Sequence, residues 1–307
     1  LRNFPIPGGG GAHPHELKVA NIGIIAGLSA DQIFQDLRRS IPQGKRRISD
    51  GEITDAINKV LSDHNGSTYT PRPRPTPVVQ NGKAALQKII AQRKISDEVD
   101  LWELSLIRLM DEPQHDATLA LSILYKPTDR LFIGDRAQPG IIGETIRTAA
   151  EWIIHFKNGG KTGPHLLINP LTGTPAPTKT GDKATLRGNG NVAAYRYAVA
   201  EFDILSREDQ ISFWSAIKLP LVALIDSGGK SVHALIDVQQ WAKVETPEQW
   251  QSEIKVKLYD QLLTPYGVDS ACSNTARLSR LPGHFREEKQ AYQRLIWLSP
   301  EGRPICQ

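Results

Sequence analysis

Apolar residues recur at helical spacing in three short segments near the N-terminus. Residues 15–26 have this pattern, and residues 29–39 and 49–61 each begin with a serine that is followed three positions later by Gln32 or Glu52. A serine at this distance from a glutamine or glutamate is typical of a capping box at a helix start. The pattern therefore predicts three helices, which together form a small all-α module at residues 1–65.

Four prolines at alternate positions, from Pro71 to Pro77, interrupt the pattern after this module. Arg72 and Arg74 stand between them. A segment of this composition favours an extended spacer of the polyproline type. We therefore expect a linker at residues 66–80 and a second domain at residues 81–307.

The second domain mixes helical and strand patterns. Thr246, Pro247 and Gln249 supply a cap, a first-turn proline and a box residue for its last long helix. The order of elements predicts an α+β fold, an antiparallel or mixed sheet with helices on one face. The predicted elements are helices at 84–93, 144–156 and 246–262, a strand at 131–133, loops with short strands at 159–190, a strand at 195–203, and a hairpin of 221–227 and 231–238 around Gly228-Gly229.

Composition and charge exclude some classes of protein. The chain has 307 residues, of which 39% are hydrophobic and 23% charged, which excludes wholly disordered, collagen and coiled-coil proteins. Its longest apolar stretches, such as residues 219–225, are far shorter than the roughly 20 residues of a membrane span. No signal-peptide pattern opens the chain. We therefore expect a cytoplasmic protein with no membrane partner.

The net charge of +4 weakly favours polyanionic partners. Ten Lys/Arg against seven Asp/Glu in residues 1–80 give that segment +3, so the remainder carries only +1. Two cysteines, Cys272 and Cys306, are too few for a disulfide framework or a zinc cluster. We expect Cys272 to be a buried or partly buried thiol.

Glu201 and Asp203 lie two positions apart at the end of the predicted strand. Because strand side chains alternate, both carboxylates would project from one face. Two carboxylates so close repel each other unless a cation lies between them, and oxygen ligands suit Mg²⁺ or Mn²⁺. The alternative is an acidic strand end that turns into solvent before a helix starting at Ser206.

Gly229-Lys230-Ser231 resembles the end of a P-loop, but that motif requires a glycine at position 224, where this chain has leucine. As part of a hairpin, Ser231 and His233 share one face, with Lys230 at the turn beside them. These groups and the backbone amides of the glycines suit a triphosphate. The alternative is a hairpin with a solvated lysine and a structural histidine.

Asp269 follows an apolar stretch at the end of the last predicted helix, and Arg277 and Arg280 come shortly after it. Neither arginine belongs to a run of charges. Two guanidinium groups near a carboxylate suit the recognition of phosphate or of a nucleic-acid backbone. The alternative is a pair of ordinary surface arginines.

Taken in order, these motifs resemble the catalytic signature of the archaeo-eukaryotic primase superfamily, which comprises primases and primase-polymerases. Residues 200–203, 230–233 and 268–269 match its three motifs. The surrounding sequence, from about residue 187 to 286, is similar to primases of phages, plasmids and integrated elements. Glu201 stands where other members have an aspartate, and both are carboxylate ligands.

The resemblance implies an RRM-like catalytic core and primer synthesis on single-stranded DNA by two-metal nucleotidyl transfer. Glu201, Asp203 and Asp269 would hold two Mg²⁺ or Mn²⁺ ions. The residues expected at the incoming NTP or dNTP are Lys230, Ser231 and His233 at its phosphates, Arg277 at its triphosphate or sugar, and Arg280, which could order the third-motif loop.

The implied partners are a single-stranded DNA template, nucleotides and a replicative helicase, in the cytoplasm of a bacterial host cell. In the N-terminal module, Lys45, Arg46 and Arg47 are candidates for a template phosphate or an initiating triphosphate, and a solvated turn is the alternative. Arg72 and Arg74 are candidates for single-stranded DNA, with a plain spacer as the alternative.

Two other functions use the same residues. A two-metal nuclease or phosphodiesterase would activate water with these carboxylates, although the lysine and arginines provide more positive charge than one phosphodiester needs. A non-catalytic DNA-binding replication protein could keep the fold, but it would have no need for all three carboxylates and His233.

Overall fold

The computed structural model describes residues 12–41, 48–64, 79–92, 95, 98–178, 181 and 183–306. The chain forms two compact units, Leu1–Pro77 and Val78–Gln307. The predicted linker at 66–80 lies outside the described residues, except that the backbone of Val79 and Gln80 begins a helix.

The N-terminal unit is all-α over its described residues, 12–41 and 48–64, and two of its helices start where the sequence predicts. Ser29 and Ser49 cap them, and each forms a complete capping box with Gln32 or Glu52. Apolar side chains of the helices pack into one core that includes Ile33, Leu37 and Ile57. The helices are α1 (Ala12–Ile25), α2 (Ala30–Ser40) and α3 (Asp50–Asp63).

The C-terminal unit is α+β, as predicted. Its helices are α4 (Val79–Ala91), α5 (Glu98–Leu104), α6 (Asp116–Leu124), α7 (Ala149–Lys157), α8 (Arg207–Ala216), α9 (Val238–Ala242), α10 (Pro247–Gln249) and a π-helix (Trp250–Leu263), with 3₁₀ turns at Pro113–His115, Asn189–Asn191, Thr264–Tyr266, Ser270–Ser273 and Glu287–Lys289.

Antiparallel pairing joins the strands of this unit into two four-stranded sheets and two hairpins. The larger sheet has the order β12-β7-β8-β6 and the smaller one β2-β1-β3-β9. The strands are β1 (Arg130–Gly134), β2 (Ile146–Thr148), β3 (His165–Leu167), β4 (Ala176–Pro177), β5 (Ala184–Thr185), β6 (Tyr197–Ala200), β7 (Leu221–Asp226), β8 (Val232–Asp237), β9 (Leu278–Arg280), β10 (Phe285–Arg286), β11 (Ala291–Tyr292) and β12 (Arg294–Arg303).

Both faces of the larger sheet are covered, so the prediction of helices on one face only is wrong. On one face, Ala234 and Ile236 of β8 share a core with α4, α8 and the π-helix. On the other, Leu235 shares a core with α6, α7 and strands β1 and β3 of the smaller sheet. The alternation of buried residues along each strand produces these two cores, and the second core joins the two sheets.

Three predicted elements have different bounds or geometry in the structure. The helix predicted at 144–156 begins only at Ala149, because residues 146–148 form β2 and Thr148 caps the helix with Glu151. The strand predicted at 195–203 is shorter and ends at Ala200. The helix predicted at 246–262 is of the π type from Trp250 onward.

The buried residues of the π-helix explain why its sequence pattern departs from 3.6-residue periodicity. Trp250, Ile254 and Leu258 are buried at intervals of four positions, and Leu263 is buried five positions after Leu258. Tyr259, next to Leu258, is also buried. Hydrogen bonds from residue i+5 to residue i widen the turn and place such positions on one face.

None of the described helices is both long and apolar enough to span a membrane.

Candidate active site

The register of the larger sheet brings Glu201 and His233 together. Strands β6 and β8 are antiparallel, with Ala200 opposite Ala234, so Glu201 leaves the end of β6 beside His233. The Nε2 atom of His233 lies 3.0 Å from Glu201 Oε2. Its Nδ1 atom lies 3.2 Å from Ser279 Oγ on β9 of the smaller sheet. The His233 ring is therefore held between the two sheets, and its side chain is only 6% exposed.

Asp269 reaches the same place by a backbone contact. Its N–H donates to the carbonyl of Glu201 at 3.0 Å. Its side chain caps the 3₁₀ turn at Ser270–Ser273 and accepts from the N–H of Ala271 at 2.9 Å. The cap fixes the aspartate next to the end of β6, so the first and third predicted motifs meet.

Arg277 contacts both carboxylates. Its Nη2 atom lies 3.3 Å from Glu201 Oε1 and 3.6 Å from Asp269 Oδ2, and its Nη1 donates to the carbonyl of Ala271 at 3.0 Å. Burial alone would raise the pKa of Glu201. The hydrogen bonds and charges of His233 and Arg277 outweigh that effect and lower the pKa to about 2. Glu201 is therefore ionised throughout the physiological pH range.

Glu201 lines a cavity of about 430 Å³, and Asp269 lies beside the lining residue Arg277. The described residues that line this cavity carry more positive than negative charge. Glu201 and three arginines line it, so the cationic groups outnumber the anionic ones. The lining residues are Arg136, His165, Glu201, His233, Asn274, Ala276, Arg277, Leu278 and Arg280. An anionic ligand with several phosphate oxygens suits such a cavity.

A histidine–arginine contact also lines the cavity. Arg280 Nη1 lies 3.2 Å from His165 Nε2, and arginine can only donate, so His165 accepts there and carries its proton on Nδ1. Burial and, less strongly, the charge of Arg280 lower the pKa of His165 to about 4. His165 is therefore neutral, and Arg280 keeps its positive charge in the cavity.

The donor set fits a hard divalent cation at Glu201 and Asp269. One ligand atom each of Glu201, Asp269 and Cys272 lie within 4.8 Å of one another. Carboxylate oxygens are the ligands that Mg²⁺ and Mn²⁺ prefer. Burial raises the pKa of the Cys272 thiol far above its ordinary value, and its Sγ atom lies 3.6 Å from Glu201 Oε1.

Asp203 does not join this cluster in the structure. It is exposed on the bend that follows β6. Phe202, which precedes it, is buried in the core that the sheet shares with α4, α8 and the π-helix. The prediction that Glu201 and Asp203 lie on a strand is therefore wrong, because the strand ends at Ala200, before either residue. Asp203 stays a predicted metal ligand on the strength of the motif alone.

Lys230 and Ser231 occupy the hairpin between β7 and β8, as predicted, but neither is among the described residues that line the cavity. The Lys230 side chain is exposed, and its carbonyl accepts from Gln210 Nε2 at 3.1 Å. The Ser231 N–H donates to Ser227 Oγ at 3.1 Å. These contacts hold the backbone of the hairpin and leave the Lys230 ammonium in solvent.

The N-terminal candidates lie outside the described residues. This applies to Lys45, Arg46 and Arg47 and to Arg72 and Arg74. Their predicted contacts with template or triphosphate remain predictions.

Arg136 and His165 line the cavity but were not predicted from the sequence. Arg136 comes shortly after the apolar residues of β1, and His165 directly precedes those of β3. A polar residue at the end of an apolar strand is a signal for such positions. The signal does not say which strands are neighbours, and pairing of β1 with β3 and of β3 with β9 supplies that information.

No protein-family model and no curated protein matches the chain. Two solved structures are similar to it. One is the primase-polymerase domain of cyanophage S-2L, with 16% identity and a TM-score of 0.37, over 62% of this chain and 94% of that one. The other is the catalytic domain of the primase Repb′ in complex with initiator DNA, with 15% identity and a TM-score of 0.35, over 62% and 88%.

Proposed function

We propose that the C-terminal unit is a DNA primase or primase-polymerase that copies single-stranded DNA by nucleotidyl transfer for a phage, plasmid or integrated element. The observation that carries the proposal is the convergence of Glu201, Asp269 and Arg277 at the edge of one cavity. Three separate motifs supply these residues, and their contacts are 3.3 Å and 3.6 Å long.

The charge of the cavity supports a nucleoside triphosphate as its ligand. Arg136, Arg277 and Arg280 line it together with a single carboxylate, that of Glu201. A triphosphate carries about four negative charges, which need more compensation than one phosphodiester does. This excess favours nucleotidyl transfer over the nuclease alternative.

The reaction joins a 3′-hydroxyl to an α-phosphorus while pyrophosphate departs. A divalent cation at Glu201 and Asp269 would supply the charge that lowers the pKa of the attacking hydroxyl. The arginines of the cavity orient the phosphates and balance the charge that grows on the leaving group. His233 keeps Glu201 in place through the 3.0 Å contact and presents its ring to the same cavity.

Three residues enter the proposal through the motif resemblance. Asp203 would complete the carboxylate set for a second cation. Lys230 and Ser231 would contact the phosphates from the hairpin. The cofactor is Mg²⁺ or Mn²⁺, and the substrates are NTPs or dNTPs.

Primer synthesis on an unprimed single-stranded DNA template tests the proposal. Labelled ribo- and deoxynucleotides are supplied with Mg²⁺ or Mn²⁺, and the wild-type chain is compared with Asp269→Asn. Asp260→Asn is the matched control, because Asp260 is exposed on the π-helix and does not line the cavity. We expect template-dependent products from the wild type and the control, and a loss of about 100-fold or more in Asp269→Asn.

Three outcomes would contradict the proposal. Near wild-type synthesis by Asp269→Asn would show that the Asp269 carboxylate is not a ligand of the catalytic cation. Degradation of the DNA in the absence of nucleotides would favour a nuclease. DNA binding in EDTA with no product under any condition, even when a primer is supplied, would favour a binding protein.

A further inference from the structure

A second cavity lies at the ends of the same two strands that line the candidate active site. Strands β3 and β9 are antiparallel neighbours, with His165 opposite Arg280 in the active-site cavity. The chain before His165 and the chain after Arg280 leave that cavity on the same side. The Leu281 N–H donates to the carbonyl of Pro164 at 3.3 Å, so the two segments stay together.

The second cavity, of about 450 Å³, is lined by these two segments and by the ends of helices α6 and α7. Thr162, which lines the second cavity, lies with its Oγ1 atom 3.0 Å from Nδ1 of His284, so the two segments also contact each other through side chains. Lys161 precedes His165 by four residues, a separation of at most about 14 Å in an extended chain. The second cavity is therefore a near neighbour of the reacting groups.

The charge of the second cavity is positive. Lys157 and Lys161 line it, and the set of described lining residues contains no aspartate or glutamate. Both lysines are exposed, and neither ammonium has an ion-pair partner among the residues that the structure describes. By contrast, Lys257 on the π-helix is paired with Glu253 at 2.8 Å. Unpaired lysines flanking a concave surface suit the phosphates of a nucleic-acid strand.

Aromatic side chains complete this cavity. Phe285 and Tyr292 are opposite each other on the β10–β11 hairpin, with ring centroids 4.9 Å apart. Tyr292 is 36% exposed, so part of its ring is open to a ligand. Phe156 stacks on Trp152, with centroids 5.5 Å apart and an interplanar angle of 21°. Rings anchored in this way are suitable platforms for the bases of a single strand.

We propose that this second cavity binds the single-stranded DNA template, with Lys157 and Lys161 at its phosphates and Tyr292 stacked on a base. The inference rests on the proposed function, which it extends by naming where the template lies. At about 3.4 Å per stacked nucleotide, the chain from Lys161 to His165 spans at most about four nucleotides. The bases contacted here would therefore lie a few positions from the one being copied.

Binding of a labelled oligo(dT) to the full chain tests this site without any chemistry. Fluorescence anisotropy is measured in EDTA and without nucleotides, over a series of salt concentrations. The variants are Lys157→Ala with Lys161→Ala, Tyr292→Ala and Tyr292→Phe. The matched control is Lys218→Ala with Lys255→Ala, which removes two exposed lysines that do not line this cavity.

We expect the double variant at 157 and 161 to bind about tenfold more weakly or worse. The slope of log affinity against log salt concentration should also become less negative by about 1.4 in this variant. Each lost phosphate contact accounts for about 0.7 of that change. Tyr292→Ala should weaken binding about tenfold, and Tyr292→Phe should keep wild-type affinity, since stacking needs only the ring. The control should match the wild type.

Equal affinity of all variants would overturn the inference. So would displacement of the oligonucleotide by a mononucleotide triphosphate, which would mark the cavity as a nucleotide site. The two proposals fail separately. Normal oligonucleotide binding by the Lys157 and Lys161 variant beside an inactive Asp269→Asn would remove the template site only. Weak binding beside a fully active Asp269→Asn would remove the catalytic assignment only.

Discussion

Two carboxylate–arginine pairs in the C-terminal unit consist of the same kinds of group, but the pKa of the carboxylate is shifted in opposite directions. Glu201 meets Arg277 at the active-site cavity at 3.3 Å, and Asp116 meets Arg294 in the protein interior at 3.1 Å. The Glu201 side chain is 17% exposed, whereas Asp116 is completely buried. The pKa of Glu201 is lowered to about 2, and that of Asp116 is raised to about 6.

The difference arises from the number of partners that each carboxylate has. Both oxygens of Glu201 are engaged, one by His233 and the other by Arg277. Asp116 receives Arg294 and the N–H of Leu295 on Oδ2 alone, and its buried Oδ1 has no hydrogen-bond partner among the described residues. Burial therefore outweighs the partners of Asp116, while the partners outweigh burial at Glu201. An arginine beside a carboxylate does not by itself mark an active site.

The largest pH dependence of stability is expected in the comparison of the wild type with Glu201→Gln. The pKa of Glu201 is lower in the folded state than its ordinary value of 4.5, so its charge stabilises the fold above that pH and the gain is lost as the pH falls towards 2. Over the full titration this amounts to about 3 kcal/mol. In urea denaturation from pH 6 to pH 3, the stability advantage of the wild type over the variant should shrink. A constant difference would show that the partners of Glu201 do not lower its pKa.

A smaller effect, of opposite sign, is expected for Asp116→Asn. The pKa of Asp116 is raised in the folded state, so its contribution to stability is complete below 3.8 and is lost as the pH rises through about 6. Between pH 7 and pH 4, the wild type should therefore gain about 2 kcal/mol relative to the variant. The same denaturation series measures it. If the free energy of unfolding of the wild type instead fell relative to that of the variant on acidification, the pKa of Asp116 would be lowered in the folded state, like that of Glu201.

The sequence predicted those parts of the fold that depend on neighbouring residues. The serine caps at Ser29 and Ser49 start helices in the structure, and the hairpin around Gly228-Gly229 forms as expected. A cap needs two side chains three positions apart, and a hairpin needs a tight turn between two apolar runs. Both are visible in one stretch of sequence.

Features that depend on pairing between distant segments were predicted less well. The end of β6 is set by where β8 stops pairing with it, so the strand ends at Ala200, three residues before the predicted end at Asp203. Arg136 and His165 enter the cavity because the smaller sheet packs against the larger one. Periodicity within a segment carries no information about that packing.

The candidate site falls between these two cases. The resemblance selected eight residues of this unit, and the structure brings five of them to one place: Glu201, His233, Asp269, Arg277 and Arg280. The other three, Asp203, Lys230 and Ser231, are not among the described residues that line the cavity. It did not reveal that Cys272 is a neighbour of the carboxylates, because only the 3₁₀ turn after Asp269 turns the thiol towards them.

The most direct test of the account measures template-dependent nucleotide incorporation by Glu201→Gln and Asp116→Asn side by side. Each variant removes one carboxylate charge from an arginine pair, and only the first pair lies at the active-site cavity. We predict a loss of about 100-fold or more for Glu201→Gln and near wild-type rates for Asp116→Asn at a temperature where both are folded. Near wild-type incorporation by Glu201→Gln, or equal losses in the two variants, would contradict the account.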